Sequence, residues 1–282
     1  MRWMRGCATL ALLTLGLTLW LWSRAGTRSR DGAGRPMAEP GSTAIEPEAP
    51  SRPEARPRFR PTPAEQRVFD ATNAERSQHG LPPLAPEPTL GLVARGHSDD
   101  MLRRGYFSHT SPDGDSAGDR VASQHRRLVG LAGENIWTGS GYGATAAPVL
   151  ARLIVESWMS SPGHRANILR PESTHLGVGI VTEGREVRAT QVFATVYGFL
   201  AEPLPATVRR GAKLVPGTVA GAKGQAERFD LFSVRRGAKV GGPWPLSGTT
   251  VDASPGTYQL RVYFPEGARR FVISNGPRIE VR

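Results

Sequence analysis

Trp158 to Leu169 reads WMSSPGHRANIL. An apolar run ending in Trp-Met meets Ser-Pro-Gly, and a histidine follows. Proline and glycine break helices, so the stretch marks the end of one. His164 is then either a polar residue capping that helix or its successor, or a side chain presented to a chemical site. Backwards from the break, Ala144–Ser160 reads as a helix with Val149, Leu150, Leu153, Ile154 and Ser157 on its inner stripe. Forwards, Leu176–Val181 and Arg188–Tyr197 read as strands separated by a Glu-Gly turn at 183–184.

Further upstream, Ala64–His79 has helical character and is ended by Gly80 and Pro82. Pro88–Arg104 is a second helix, stopped by Gly105, with Leu90, Val93, Ala94, His97 and Met101 on one face. Phe107–Arg127 is polar and rich in Gly and Asp, with a turn expected at Ser111-Pro-Asp-Gly114. Gly133–Thr138 is a short strand. Helices flanking a small, largely antiparallel sheet cover both its faces as an α/β fold, a three-layer α/β/α sandwich spanning residues 63–200.

Either side of this middle the character changes. The net charge of the 282 residues is +11, unevenly spread. Residues 1–62 carry 10 Lys+Arg against 5 Asp+Glu, residues 63–200 carry 13 against 14, and residues 201–282 carry 13 against 6. All six histidines fall in the near-neutral middle, where chemistry near neutral pH is expected. Two arginines, the apolar run Ala8–Trp22 and small residues at Ser23 and Ala25 form a signal-peptide pattern over 1–25. An uncleaved anchor is the alternative, with Trp20 and Trp22 at the interface. Residues 26–62 have no apolar period and read as a disordered Pro/Arg-rich linker. The sole cysteine is Cys7, so the exported body has no disulfide, thiol nucleophile or thiolate metal site.

Residues 201–282 show short Val/Phe/Tyr/Leu runs between Gly/Pro turns, among them Tyr258–Phe264 and Phe271–Ser274, and read as a small, basic, all-β C-terminal domain. VRRGAK occurs twice, at Val208–Lys213 and Val234–Lys239. The two copies mark paired hairpins or a duplicated turn, or else chance similarity in an Arg/Gly/Ala-rich segment. A basic surface suits anionic polymers. Nucleic acid is disfavoured, because export removes the chain from the chromosome.

Seven signals stand in order: Asn73-Ala-Glu-Arg76, HSDDM (97–101), FSHTSPDG (107–114), GENIW (133–137), WMSSPGHRANIL, LGVGI (176–180) and TQVF (190–193). Together, over about residues 65–198, they resemble the bacterial branch of the CAP superfamily, the SCP domains of cysteine-rich secretory, antigen-five and pathogenesis-related proteins. The resemblance implies an α/β/α sandwich with a central cleft lined by two histidines and two acids, the histidines able to hold a divalent metal, often zinc. By motif these are His109, Glu134 and His164. The second acid's position holds Ser161, so the tetrad is incomplete. Glu156, on the same helix, is not placed by the match. The disulfides of eukaryotic members are absent too.

The chemistry can be read several ways. His109 and His164 alone make a weak, exchangeable Zn2+ site. Glu134 can be a third ligand, orient an imidazole through its N–H, or polarise metal-bound water as a catalytic candidate. It can instead serve the fold by accepting backbone N–H groups. Ser161 can donate a hydrogen bond to a ligand, but no nucleophile elbow surrounds it. His97 reads as a packed core residue, and His79, His125 and His175 as surface or turn residues. Asn73 and Arg76 tie helix one to neighbouring carbonyls or carboxylates, and Trp137 and Trp158 belong to the core. The expected function is an exported, monomeric binding module at the envelope. Its cleft takes a metal and a small apolar, lipid or peptide ligand. The rival is a metal-assisted hydrolase of peptide or wall material using His109, His164 and Glu134. A third reading gives residues 201–282 a role in adhesion to an anionic envelope polymer.

Overall fold

A computed structural model describes residues 59–221, 224–267 and 270–282. The signal peptide or anchor, and all but the last four residues of the expected linker, lie outside these. Five helices are present among them: α1 (Pro63–Gln78), α2 (Pro88–Arg103), α3 (Ala117–Gln124), α4 (Ala147–Ser160) and α5 (Pro162–Ile168). The first four strands are β1 (Ala85–Pro86), β2 (Leu128–Ser140), β3 (His175–Glu183) and β4 (Glu186–Leu200). None of the helices among the described residues is long and apolar enough to cross a membrane.

β4 is the central strand. It pairs antiparallel with β3 on one edge and with β2 on the other. Its side chains alternate between two cores, as a strand covered on both faces requires. Val187, Ala189 and Phe193 pack with Val68 of α1 and with Leu150, Ile154 and Trp158 of α4. Val192, Ala194 and Val196 pack with Leu90, Val93 and Ala94 of α2 and Val121 of α3. The helices thus form a layer on each face, the expected α/β/α sandwich. α2 lies almost on β3: a Cβ at Gly177 would sit 2.1 Å from the Leu90 carbonyl carbon, and one at Gly179 would sit 1.9 Å from the Arg95 nitrogen.

Local signals explain the ends. Thr62 and Glu65 form a capping box at α1, with Pro63 in its first turn. Glu65 is buried and also accepts from Arg95 and from the Ile180 N–H. Arg76 is fully buried and donates to the carbonyls of Pro82, Ile168, Arg170 and Ser173, while Asn73 exchanges hydrogen bonds with the Leu84 backbone. These are the ties expected of helix one.

Several expectations need correction. Ser116 and Asp119 form a second capping box and start α3 inside the polar Gly/Asp-rich stretch, where only a turn was expected. β2 begins at Leu128, five residues before the expected strand. On α4 the buried residues are Leu150, Ala151, Ile154, Val155 and Trp158, whereas Val149 is 42% exposed and Ser157 is exposed. That helix is apolar around most of its circumference, so periodicity alone did not select the face that meets α1 and the sheet. His125 is buried, because its Nδ1 accepts from the Leu128 N–H and its Nε2 faces Glu87 at 3.3 Å. His175 is half-buried, edge-on to Phe199.

The remaining strands are short, apart from β9, β13 and β14. They are β5 (Thr207–Val208), β6 (Lys213–Leu214), β7 (Val219–Gly221), β8 (Gly224–Gln225), β9 (Arg228–Ser233), β10 (Ala238–Lys239), β11 (Trp244–Pro245), β12 (Thr249–Thr250), β13 (Gly256–Pro265) and β14 (Phe271–Val281). β9, β13 and β14 are the body of a second antiparallel sheet. The β7–β8 hairpin extends the first sheet by pairing with Phe199 and Leu200 of β4. One apolar core joins Val129 and Leu200 to Phe229, Leu231, Leu260 and Phe264. The two VRRGAK copies each follow a strand and turn at a glycine of positive φ, Gly211 (84°) and Gly237 (60°). Only the second closes a hairpin, β9–β10.

Candidate functional site

The site forms where the middle of β2 meets α3, α5 and the loop after α2. Glu134 stands on the β2 face turned toward α2 and α3, opposite Val192. Its side chain is 2% exposed. One carboxylate oxygen accepts from Arg120 Nη2 at 2.7 Å, and the other lies 2.9 Å from His109 Nδ1. The expected backbone partners are not what binds it. α3 delivers Arg120 instead, which also donates to the carbonyls of Asp115 and His109. Arg120 was absent from the sequence reading. The Ser116-x-x-Asp119 spacing was the available signal, since it starts the helix that carries this arginine.

His109 is about half exposed (54%). With Nδ1 donating to the carboxylate, its Nε2 is free for a ligand, the arrangement in which a carboxylate fixes the tautomer of a metal-binding imidazole. Behind it lies His97, fully buried as expected, with Nε2 donating to the Ser108 carbonyl at 3.0 Å and standing 3.8 Å from Glu134. Burial lowers the His97 pKa, against the pull of Glu134. Tyr106 donates to Asp100 at 2.5 Å and lies 3.4 Å from His97 Nδ1. Burial and the Asp100 bond push its phenol well above the ordinary value.

His164 is in α5, the short helix that Ser161-Pro-Gly163 begins. α5 is tied to β2 by amides: Asn135 Nδ2 donates to the His164 carbonyl at 3.1 Å, and Asn167 Nδ2 to the Glu134 carbonyl at 3.1 Å. Burial, and then the charge of nearby His109, lower the His164 pKa. The imidazole is therefore neutral at pH 7, as metal ligation requires. Ser161 is the hinge between α4 and α5 and its side chain makes no cap hydrogen bond. Glu156 points to solvent beside Arg152, so it does not supply the missing acid. The residues brought together are thus His109, Glu134 and His164, with Arg120 added.

Two imidazoles can make at most a weakly held divalent site, with water completing its shell. Among the described residues no group of three or more His, Cys, Asp or Glu side chains is placed to hold one. Glu134 is committed to Arg120 and His109, which makes it an orienting group.

An α/β/α sandwich that sets a buried acid, Glu134, against His109 and beside the helix of His164 narrows the class. Residues 69–197 match the family model CAP, the cysteine-rich secretory protein family. This segment is a CAP domain of the bacterial type. The chain is 42% identical over 120 residues to the uncharacterized protein YkwD of Bacillus subtilis, covering 43% of each. It is 40% identical over 119 residues to the uncharacterized membrane protein YlbC of the same organism, covering 42% of this chain and 32% of that one. The chain thus spans less than half the length of these curated relatives. Among solved structures it is similar to an extracellular protein containing a SCP domain from Bacillus anthracis, with 39% identity, a TM-score of 0.39 and coverage of 46% of this chain and 40% of that one. Another similar structure is NaASP2 with Zn2+, at 13% identity and TM-score 0.38, covering 49% and 82%.

Proposed function

We propose that the protein is an exported CAP-domain binding protein whose cleft holds a divalent metal, zinc in the first place, between His109 and His164 and takes a small apolar, lipid or peptide ligand. The observation that carries this reading is the His109 Nδ1–Glu134 bond, which leaves Nε2 for a ligand, with Arg120 holding the carboxylate from behind. When bound, the ion would supply an electrophilic centre for a ligand oxygen. Glu134 orients His109, and Arg120 holds the Glu134 carboxylate in place by an ion pair.

Export to the envelope is supported by the Arg-flanked apolar run at 8–22. Contact with an anionic envelope polymer is supported by Arg209, Arg210, Arg235 and Arg236, all exposed on the two VRRGAK turns.

Zinc titration by calorimetry on the metal-stripped protein tests the central claim. One zinc per chain is expected for the wild type and none for His109→Ala or His164→Ala. Absence of binding by the wild type would overturn it.

A further inference from the structure

Among the described residues β2 pairs with one strand, β4, and its other edge carries side-chain bonds at Glu134 and Ile136. The direction of its peptide groups follows from β4. The Val196 N–H donates to Thr174 Oγ1, and the Ala194 carbonyl accepts from the Thr174 N–H, so both residues bond away from β2. In an antiparallel pair the residues opposite them, Gly130 and Ala132, turn their own peptide groups outward as well. Glu134 belongs to the same set, and its outward carbonyl is the one that Asn167 reaches. The N–H and carbonyl of Ala132 have no partner among the described residues.

Sheet edges are usually blunted by charge, proline or a covering element. Gly130-Leu-Ala-Gly133 carries neither charge nor proline. A hollow of about 520 Å³ flanks it on the side of α3 and β14, and one of about 260 Å³ on the side of α5, with Leu131 and Ala132 shared by both. Leu131 is 51% exposed between them. The larger hollow is lined by Arg261 and Arg278, which are paired with Asp230 and Asp119, and the smaller by Arg170 with no acid.

We propose that the Leu131–Gly133 edge of β2 is a docking strand for an extended, acidic segment of a partner polypeptide, whose end it brings against α5, the helix that carries His164. This rests on the reading of the cleft as a ligand site and names the class of ligand. A bare peptide N–H and carbonyl on a strand edge recognise another backbone, and hollows on both faces receive alternate side chains. Arg170, which no acid of its hollow balances, favours an acidic side chain on that face. The next outward residue after Ala132 is Glu134, whose carbonyl Asn167 already takes, so a strand laid on this edge ends against α5, the helix that carries His164.

The experiment uses the full-length protein and a labelled, end-blocked heptapeptide alternating valine with threonine and glutamate, with binding followed by fluorescence anisotropy. A second copy of the peptide is N-methylated at alternate residues. Ala132→Pro removes the outward N–H without touching the β2–β4 ladder. Wild type is expected to bind the plain peptide, with about tenfold weaker binding for Ala132→Pro and for the methylated peptide, the effect of one or two lost backbone bonds. Zinc calorimetry on the same samples separates the two claims. Peptide binding without zinc binding leaves this inference standing and removes the metal reading. Zinc binding without peptide binding at millimolar concentration does the reverse. Equal binding of both peptides, or a wild-type dimer that Ala132→Pro makes monomeric, also overturns the docking strand. In the dimer case the edge is a contact between copies of the chain.

Discussion

Arg278, in the last strand, is ion-paired with Asp119, and the next residue of that helix, Arg120, holds Glu134. The second sheet is therefore latched to the helix that carries the cation of the cleft. Both partners of the latch are partly exposed, so it is worth ~1 kcal/mol or less. Arg278→Ala is expected to lower stability by that amount in urea denaturation, and the difference should shrink in high salt.

Arg120→Ala removes the one strong cation from a buried carboxylate. The cost of stranding such a charge is ~3 kcal/mol. Chemical denaturation at neutral pH should register it, and Arg120→Ala combined with Glu134→Gln should recover a large part. An unchanged midpoint for the single variant would mean that Glu134 does not depend on Arg120.

Stability should fall as the solution is acidified. Burial holds His97, His164 and His175 below the ordinary histidine value of 6.5. A histidine depressed in the folded state binds fewer protons than in the unfolded chain. Its contribution is complete above 6.5 and is lost as pH falls through the lowered folded value. Denaturation midpoints should drop between about pH 7 and about pH 5, with a shallower slope for His164→Gln.

Gly179→Ala places a methyl group 1.9 Å from the Arg95 nitrogen and 2.3 Å from the Ala94 carbonyl carbon. Backbone atoms cannot yield as a side-chain tip does, so α2 must lift off β3. A loss of about 3 kcal/mol is expected in thermal or chemical unfolding. Gly133→Ala is the control, because a Cβ there meets nothing within 4 Å.

Much of this was legible in the chain. Helix ends at Gly80, Gly105 and Ser161-Pro-Gly163 are local signals, and the ordered motifs led to His109, Glu134 and His164. What stayed hidden depends on tertiary packing. Arg120 acts through a helix of eight residues, too short to show a period and surrounded by Gly, Asp and Ser. His125 looks like an exposed polar residue until Glu87, 38 positions earlier, is brought to its ring. The inner face of α4 was unreadable because nearly every face of that helix is apolar. Ser161 could be located but not given a role, since its oxygen makes no cap bond.

The core joining Val129 and Leu200 to the second sheet bears on where the protein can be cut. The family match ends at residue 197, yet Tyr197 stacks on Phe264 and Leu200 is fully buried against the C-terminal strands. A fragment ending there would lack Leu200, would present Val129 and Tyr197 to water and would aggregate. Calorimetry of the intact protein should give one melting transition, and a soluble CAP fragment needs Val129 and Tyr197 made polar. The minimal expressible unit is accordingly set by shared packing, well beyond the last residue that the family defines.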